Sequence, residues 1–235
     1  MKEQIKIVGI EGFNPAITGM RLPTQTDNDS NINFEYDFNK ETLELITKTT
    51  FKLGPNDAKL AKHLLNKKEK VHWSDNEDDE IFQGNVHGKF QRGIIVWLDI
   101  TAPRKIWSEL DTYVVGVSPT SSTSTMYTLR KEINNIDEIN ASMFDKFTEQ
   151  VVIDNFKLTL QILVNKYGTE VKDIPIDVLK SALPEGWLQR RIKAFSYQSL
   201  RGLYLLRKTH RLHFWHMMCE ELEQLPFFNE LLIGK

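Results

Sequence analysis

The stretch "RGIIVWLDITAPR", Arg92 to Arg104, constrains the fold more than any other. Ile94, Ile95, Val96, Trp97 and Leu98 are continuously apolar, the pattern of a strand buried on both faces. Such a strand needs partners beside it and covering layers above and below. Ala102-Pro103 ends it, and a proline suits the start of a helix because that first N–H has no helical partner. "PRKIWSELDTYVV" then brings Ile106, Trp107 and Leu110 to one side. A chain of 235 residues, 40% hydrophobic and 26% charged, can bury a core around such a strand. With a net charge of −2, it carries no electrostatic signature of a nucleic-acid or membrane partner. No stretch approaches the ~18 apolar residues of a membrane span. "MKEQIKIVGI" has too short an apolar run for a signal peptide. The single cysteine, Cys219, excludes an internal disulfide and a Cys-rich zinc site. The expectation is a reducing, cytoplasmic compartment.

Periodicity supplies the other elements. "QIKIVGI" reads as a short strand, "NFEYDF" as a candidate second strand, and Asn14-Pro15 as a turn between them. "ETLELITKTTF" is ambiguous, since its β-branched residues weaken a helix. Pro55 opens a helix, "NDAKLAKHLLNKKEK", with Leu60, Leu64 and Leu65 on one face. "SDNEDDE" is an acidic surface run, not expected to hold a metal. "MFDKFTEQVVIDNFKLTLQILVNKY" keeps roughly helical spacing through Met143, Phe147, Val151, Phe156, Leu160 and Leu163. "IPIDVLKSALPEGW" predicts a short helix and a turn at Pro184. From Trp187 to about Gln224 the chain reads as almost wholly helical, with a break at Thr209-His210. Arg190 and Arg191 then fall on an exposed helix start. The predicted class is α+β, a mixed or antiparallel sheet flanked by long helices, in one domain over residues 1–235.

The hydroxyl-rich run "VSPTSSTSTMYTLR", Val117 to Arg130, reads either as a loop that holds a phosphate or polar ligand or as an inert surface loop. Segment order bears on that choice. A strand ending at Ala102 and Pro103, a short helix, a polar loop ending at Tyr127, then Leu183-Pro184 and an Arg-rich helix resemble the flavin-dependent thymidylate synthases (ThyX). Ser124 and Tyr127 match the loop's Ser and Tyr. Leu200, Leu206 and Arg207 match the late helix, and Trp215 does so to within a residue. The resemblance is clearest over 86–218. The chain also departs from the family pattern. Glu109 stands for a Gln, Thr112, Tyr113 and Val114 stand for an Arg-His-Arg triplet, and Met126 stands for a loop arginine. Ser121 and Ser122 replace an Asn-Glu pair. Gly93 falls where the family has a flavin-contacting His, with His87 nearby, and Ser196 falls where a flavin-contacting Asn is expected.

The resemblance implies a protein that binds FAD, a pyrimidine deoxynucleotide such as dUMP, and folate, assembled as a homotetramer. In that family reduced flavin delivers a hydride to the uracil ring, folate supplies the carbon, and no cysteine nucleophile is needed. It implies Arg207 as the catalytic residue that stabilises charge on the uracil. It implies His87, Ser121, Ser122 and Ser196 at the cofactor, and Ser124, Tyr127, Arg130 and Arg201 at the substrate. The missing phosphate arginines leave Arg104, Lys105, Arg130, Arg201 and Lys208 as substitutes. Diverged, phage-encoded forms are compatible with the Asn- and Lys-rich composition.

A second reading is a scaffold or interaction protein that kept the fold and lost the site. A nucleic-acid partner is not expected: Arg190, Arg191, Arg201, Arg207, Lys208 and Arg211 are basic, but no recognised motif frames them. His210, His213 and His216 are spaced three and three and drift around a helix, so no metal site is expected. Trp107, Trp187 and Trp215 read as core anchors.

Overall fold

A computed structural model describes residues 2–22, 35–39, 44–48, 53–67, 86–123 and 125–235. In chain order the elements are β1 (Gln4–Glu11), α1 (Phe13–Arg21), β2 (Glu35–Asn39), β3 (Glu44–Lys48) and α2 (Pro55–Asn66). A 3-10 segment, Val86–Gly93, leads into β4 (Ile95–Pro103), α3 (Arg104–Leu110), β5 (Val117–Ser122) and α4 (Leu129–Glu132). Then follow α5 (Gln150–Tyr167), α6 (Ile176–Ser181), β6 (Leu188–Ser196), α7 (Tyr197–Arg207) and α8 (His213–Leu222). A π-helical turn, Phe228–Ile233, ends the series. The fold is α+β, with a four-stranded sheet of order β1-β4-β6-β5. Thr123 N–H donates to Arg190 O at 2.9 Å and Ser196 N–H to Gly116 O at 2.8 Å, so β5 and β6 run antiparallel. The hairpin β2-β3 is separate and antiparallel, with Glu35 opposite Lys48. It resolves the ambiguous "ETLELITKTTF" as strand over Glu44–Lys48. The acidic run "SDNEDDE" lies outside the described residues.

The chain divides into two compact units. The first comprises Met1–Lys6, Asp99–Val114 and Pro119–Lys193. Its core gathers Leu129, Ile133, Ile153, Leu160, Ile174 and Leu179 around Phe144, Phe156 and Trp187. The three aromatic rings meet edge to face, with centroids 5.4 to 6.2 Å apart. That geometry suits their quadrupoles. Helix α5 starts later than its sequence suggests, at Gln150. Phe144 bridges to Trp187, and Phe147 and Val151 are exposed. The helix buries Phe156 and Leu160, as the spacing predicts, together with Ile153, which takes the place expected for Val151.

The second unit comprises Ile7–Leu98, Val115–Ser118 and Ala194–Lys235. Asn14-Pro15 is not a turn here but the first turn of α1. Proline is tolerated there because the first helical N–H groups lack intrahelical acceptors. Phe13, Ala16, Ile17, Met20 and Arg21 form the buried face of α1. Gly12, which precedes it, has φ +91°, and a Cβ there would collide with Gly93 O. Arg21 reaches α2, where Nε donates to Asp57 Oδ1 at 2.7 Å and Nη2 to Oδ2 at 2.5 Å, both residues buried.

The largest departure from the sequence expectation is β6. Residues Leu188–Ser196 are strand, so Leu183-Pro184 is followed by a strand before the helix Tyr197–Arg207. The break at Thr209-His210 is present, between α7 and α8. The hydroxyl-rich run also differs: its first part, Val117–Ser122, is a strand and not a loop.

Candidate functional site

In the first unit, α3 is docked by its backbone. Arg104 N–H donates to Trp187 O at 3.1 Å and Lys105 N–H to Glu185 O at 3.2 Å. One face of α3, carrying Arg104, Trp107, Ser108 and Asp111 at helical spacing, borders a cavity of about 550 Å³. Helix α6 supplies Asp177, Lys180 and Ser181 to its wall. Gln189 and Arg191 come from β6, joined by Thr125. The lining is mostly polar, with three cations facing two carboxylates.

The three cations differ in what they already hold. Arg104 Nη1 donates to Leu183 O at 2.6 Å, and its Nη2 lies 3.6 Å from Glu185 Oε1. Arg191 Nη1 donates to Asp111 Oδ2 at 2.8 Å and Nη2 to Gln189 Oε1 at 3.2 Å. Its guanidinium carbon lies 4.4 Å from the centroid of the Trp107 ring, a cation–π contact. Trp107 itself is buried and donates Nε1–H to Gln189 O at 3.1 Å. Lys180 has no carboxylate partner among the described residues, and its Nζ contacts Met126 Sδ at 3.9 Å. Ser108 and Ser181 donate their hydroxyls to carbonyls one helical turn back, Arg104 O and Asp177 O. Lys180 is therefore the cation best able to meet an anion without breaking an existing pair.

Asp111 is shared. Lys193 Nζ, on a side chain 4% exposed, donates to Oδ1 at 2.8 Å while Arg191 holds Oδ2. Burial pushes the Asp111 carboxyl up, but hydrogen bonds from Lys193 and Arg191, and their charges, outweigh it and hold the group below its ordinary value. Arg190 is exposed, as its sequence context suggests, but it stands on a strand and not on a helix. It projects from β6 and grips the buried Asp99 of β4, with Nε to Oδ1 at 2.8 Å and Nη2 to Oδ2 at 2.5 Å.

Among the described residues that the resemblance placed at cofactor or substrate, Ser122, Tyr127, Arg130, Ser196, Arg201 and Arg207 do not line this cavity. Ser122 and Tyr127 are exposed, Tyr127 at 81%. Arg130 donates Nη2–H to Ile174 O at 3.0 Å. The side chain of Ser121, and Ser124 altogether, lie outside the described residues. In the second unit, His87 belongs to the segment Val86–Gly93, its side chain again outside the description. Ser196 is buried and N-caps α7, its Oγ accepting from Ser199 N–H at 3.1 Å. Gly116 packs against it at φ +68°, and a Cβ would come within 2.5 Å of Ser196 Oγ. Arg201 points at the chain's end, donating to Leu232 O at 2.9 Å, Ile233 O at 2.5 Å and Leu65 O at 3.3 Å. Arg207 is half-buried, with its guanidinium carbon 4.4 Å from the Trp215 ring centroid. Of the substitute cations foreseen from sequence, Arg104 is in the cavity wall. Lys180 was missed, and its signal is weak: one lysine in a short amphipathic helix. Among the described residues, no group of three or more His, Cys, Asp or Glu side chains converges as a metal site. No helix among them is long and apolar enough to cross a membrane.

No protein-family model matches the sequence. No curated protein matches it either. Solved structures do. A crystal structure of thymidylate synthase X (ThyX) from Helicobacter pylori with FAD and dUMP has a TM-score of 0.64 at 17% identity, covering 98% of this chain and 97% of that one. A second ThyX structure from Helicobacter pylori, also complexed with FAD and dUMP, has a TM-score of 0.63 at 18% identity, covering 99% and 98%. The agreement runs the length of both chains, and the chain has a ThyX-like fold.

Proposed function

We propose that this chain is a nucleotide-binding protein of ThyX-like fold whose first-unit cavity takes the phosphate-bearing end of a pyrimidine deoxynucleotide. The observation that carries the reading is Lys180: a cation with no carboxylate partner among the described residues, in the wall of a polar cavity, in a fold whose solved neighbours are complexed with dUMP. The volume, about 550 Å³, lies inside the ~300–1,000 Å³ range of small-molecule sites. Lys180 would meet the phosphate as a point charge, with Thr125 as a hydroxyl donor and Arg104 beside it.

FAD fits this cavity less well. An isoalloxazine ring wants an apolar or aromatic face. Arg191 already covers Trp107, the one aromatic side chain among the described residues of the lining. Of the residues matched to flavin contacts, Ser196 is consumed as a helix cap. FAD therefore rests on the fold likeness alone, folate and a homotetramer rest on the sequence resemblance, and the reading assigned here is of binding.

The test is calorimetric titration of dUMP into wild type, Lys180→Ala and Lys180→Arg, with FAD titrated separately by absorbance. One charge-assisted hydrogen bond contributes ~1.5–3 kcal/mol, so Lys180→Ala should weaken dUMP by roughly 10- to 150-fold, and Lys180→Arg should retain most of the affinity. Equal binding by wild type and Lys180→Ala removes the cavity from the nucleotide site. Protein that takes up neither dUMP nor FAD favours the scaffold reading. The replacement of the Arg-His-Arg triplet by Thr112, Tyr113 and Val114 supports that second reading.

A further inference from the structure

We propose that Asp111 is an internal competitor for the ligand of this cavity: it occupies Arg191, and only an anion strong enough to displace it gains that guanidinium. The inference rests on the nucleotide-binding reading above and adds the ligand's charge class. Three observations carry it. Asp111 and Arg191 both line the cavity, and their contact, Oδ2 to Nη1 at 2.8 Å, is made within its wall. Arg191 is otherwise pre-positioned, over the Trp107 ring and held by Gln189 Oε1 at 3.2 Å, so releasing the carboxylate would leave the guanidinium in place. Asp111 also has a second cation, Lys193, on its other oxygen at 2.8 Å, so it keeps a partner when Arg191 changes sides.

The exchange selects by charge. A phosphate monoester carries about −1.5 to −2 at neutral pH and offers three acceptor oxygens, whereas Asp111 carries −1 and presents one oxygen to Arg191. Each bridging phosphate of a dinucleotide carries a single charge and is a poorer competitor, and a nucleoside does not compete. The cavity should therefore prefer a nucleoside monophosphate over the corresponding nucleoside and over a pyrophosphate-linked dinucleotide.

Asp111→Asn removes the charge and the oxygen that Arg191 uses, while its amide oxygen can still accept from Lys193. Because Lys193 is buried, Asp111→Asn/Lys193→Met is the companion variant should the single change unfold the protein. The probe is dUMP, with deoxyuridine and FAD as controls, titrated into wild type, both variants, Arg191→Met and Asp111→Asn/Arg191→Met. The expected result is dUMP binding about tenfold tighter or more in Asp111→Asn, with the gain abolished when Arg191 is also Met. Deoxyuridine should be unaffected. A gain that persists without Arg191 overturns the exchange, because it would report only a change in local potential. Wild-type dUMP binding that is sensitive to Lys180 but unchanged or weaker in Asp111→Asn and in the companion variant overturns the inference alone. Absence of dUMP binding in every protein overturns the cavity reading, and the inference with it.

Discussion

Cys219 is buried in α8, and its thiol is pushed up to about 11, chiefly by burial and then by the carboxylates of Glu223 and Glu220. Tyr204 is pushed up to about 12, first by its hydrogen bond to Glu223 at 2.7 Å. Both shifts act in the same direction on stability. A folded-state pKa above the unfolded one means that the native state holds the proton more tightly. The contribution is fully present below the unfolded value and is lost as pH rises through the folded one. For Cys219 the window runs from its ordinary 9.0 to about 11. Stability followed by urea denaturation should therefore decline across that interval, and Cys219→Ser should flatten the first part of the decline. The same protonated thiol should resist iodoacetamide in the folded protein and react on unfolding, because the thiolate is the nucleophile.

At the scale of elements, the pair Arg21–Asp57 joins α1 to α2 within the second unit, with side chains 6% and 2% exposed. Breaking a buried pair from one side strands the remaining charge, at about 3–5 kcal/mol. Asp57→Ala should lower the unfolding free energy by that amount, read as a shift in urea midpoint at unchanged slope. Asp57 looks from sequence like a helix-start residue, three positions after Gly54. Its burial against an arginine 36 positions away is not encoded in any local pattern. The misreading of β6 has the same origin. "LQRRIKAFS" is rich in helix-forming residues, and Arg190, Arg191 and Lys193 look like a solvated face. As strand residues they meet Asp99 and Asp111, between 80 and 91 positions earlier in the chain. The long-range pairs override propensity. By contrast, β4 and α3 were legible: the apolar run and its Ala-Pro stop carry their structure locally.

For the whole molecule, ligand binding couples to stability. A ligand at 100 times its Kd adds ~2.7 kcal/mol to the unfolding free energy. For a chain of 235 residues each kcal/mol moves Tm by roughly 2–4 °C. On the nucleotide-binding reading, saturating dUMP should therefore raise the wild-type Tm by about 5–10 °C, measured by differential scanning calorimetry, and should raise that of Lys180→Ala by about half as much or less at the same concentration. The ThyX-like architecture was readable from the order of segments, despite substitutions throughout the signature. Order is a property of topology, and it survives changes in side chains that alter chemistry. The site was much less readable. Ser196 and Arg201, nominated by position, serve as a helix cap and as a clamp on the chain's last turn.

Sequence alone determined what depends on neighbours within a turn or two. It supplied the doubly buried strand, the helix that leaves it through Pro103, the amphipathic α2, and the absence of a disulfide framework. Only the tertiary structure decided which charges neutralise one another. Arg190 finds its carboxylate on the neighbouring strand β4, Arg191 and Lys193 find theirs at the end of α3, and Arg21 finds its own on α2, while Lys180 finds none among the described residues. A charge's partner is set by three-dimensional proximity, and spacing along the chain carries no record of it.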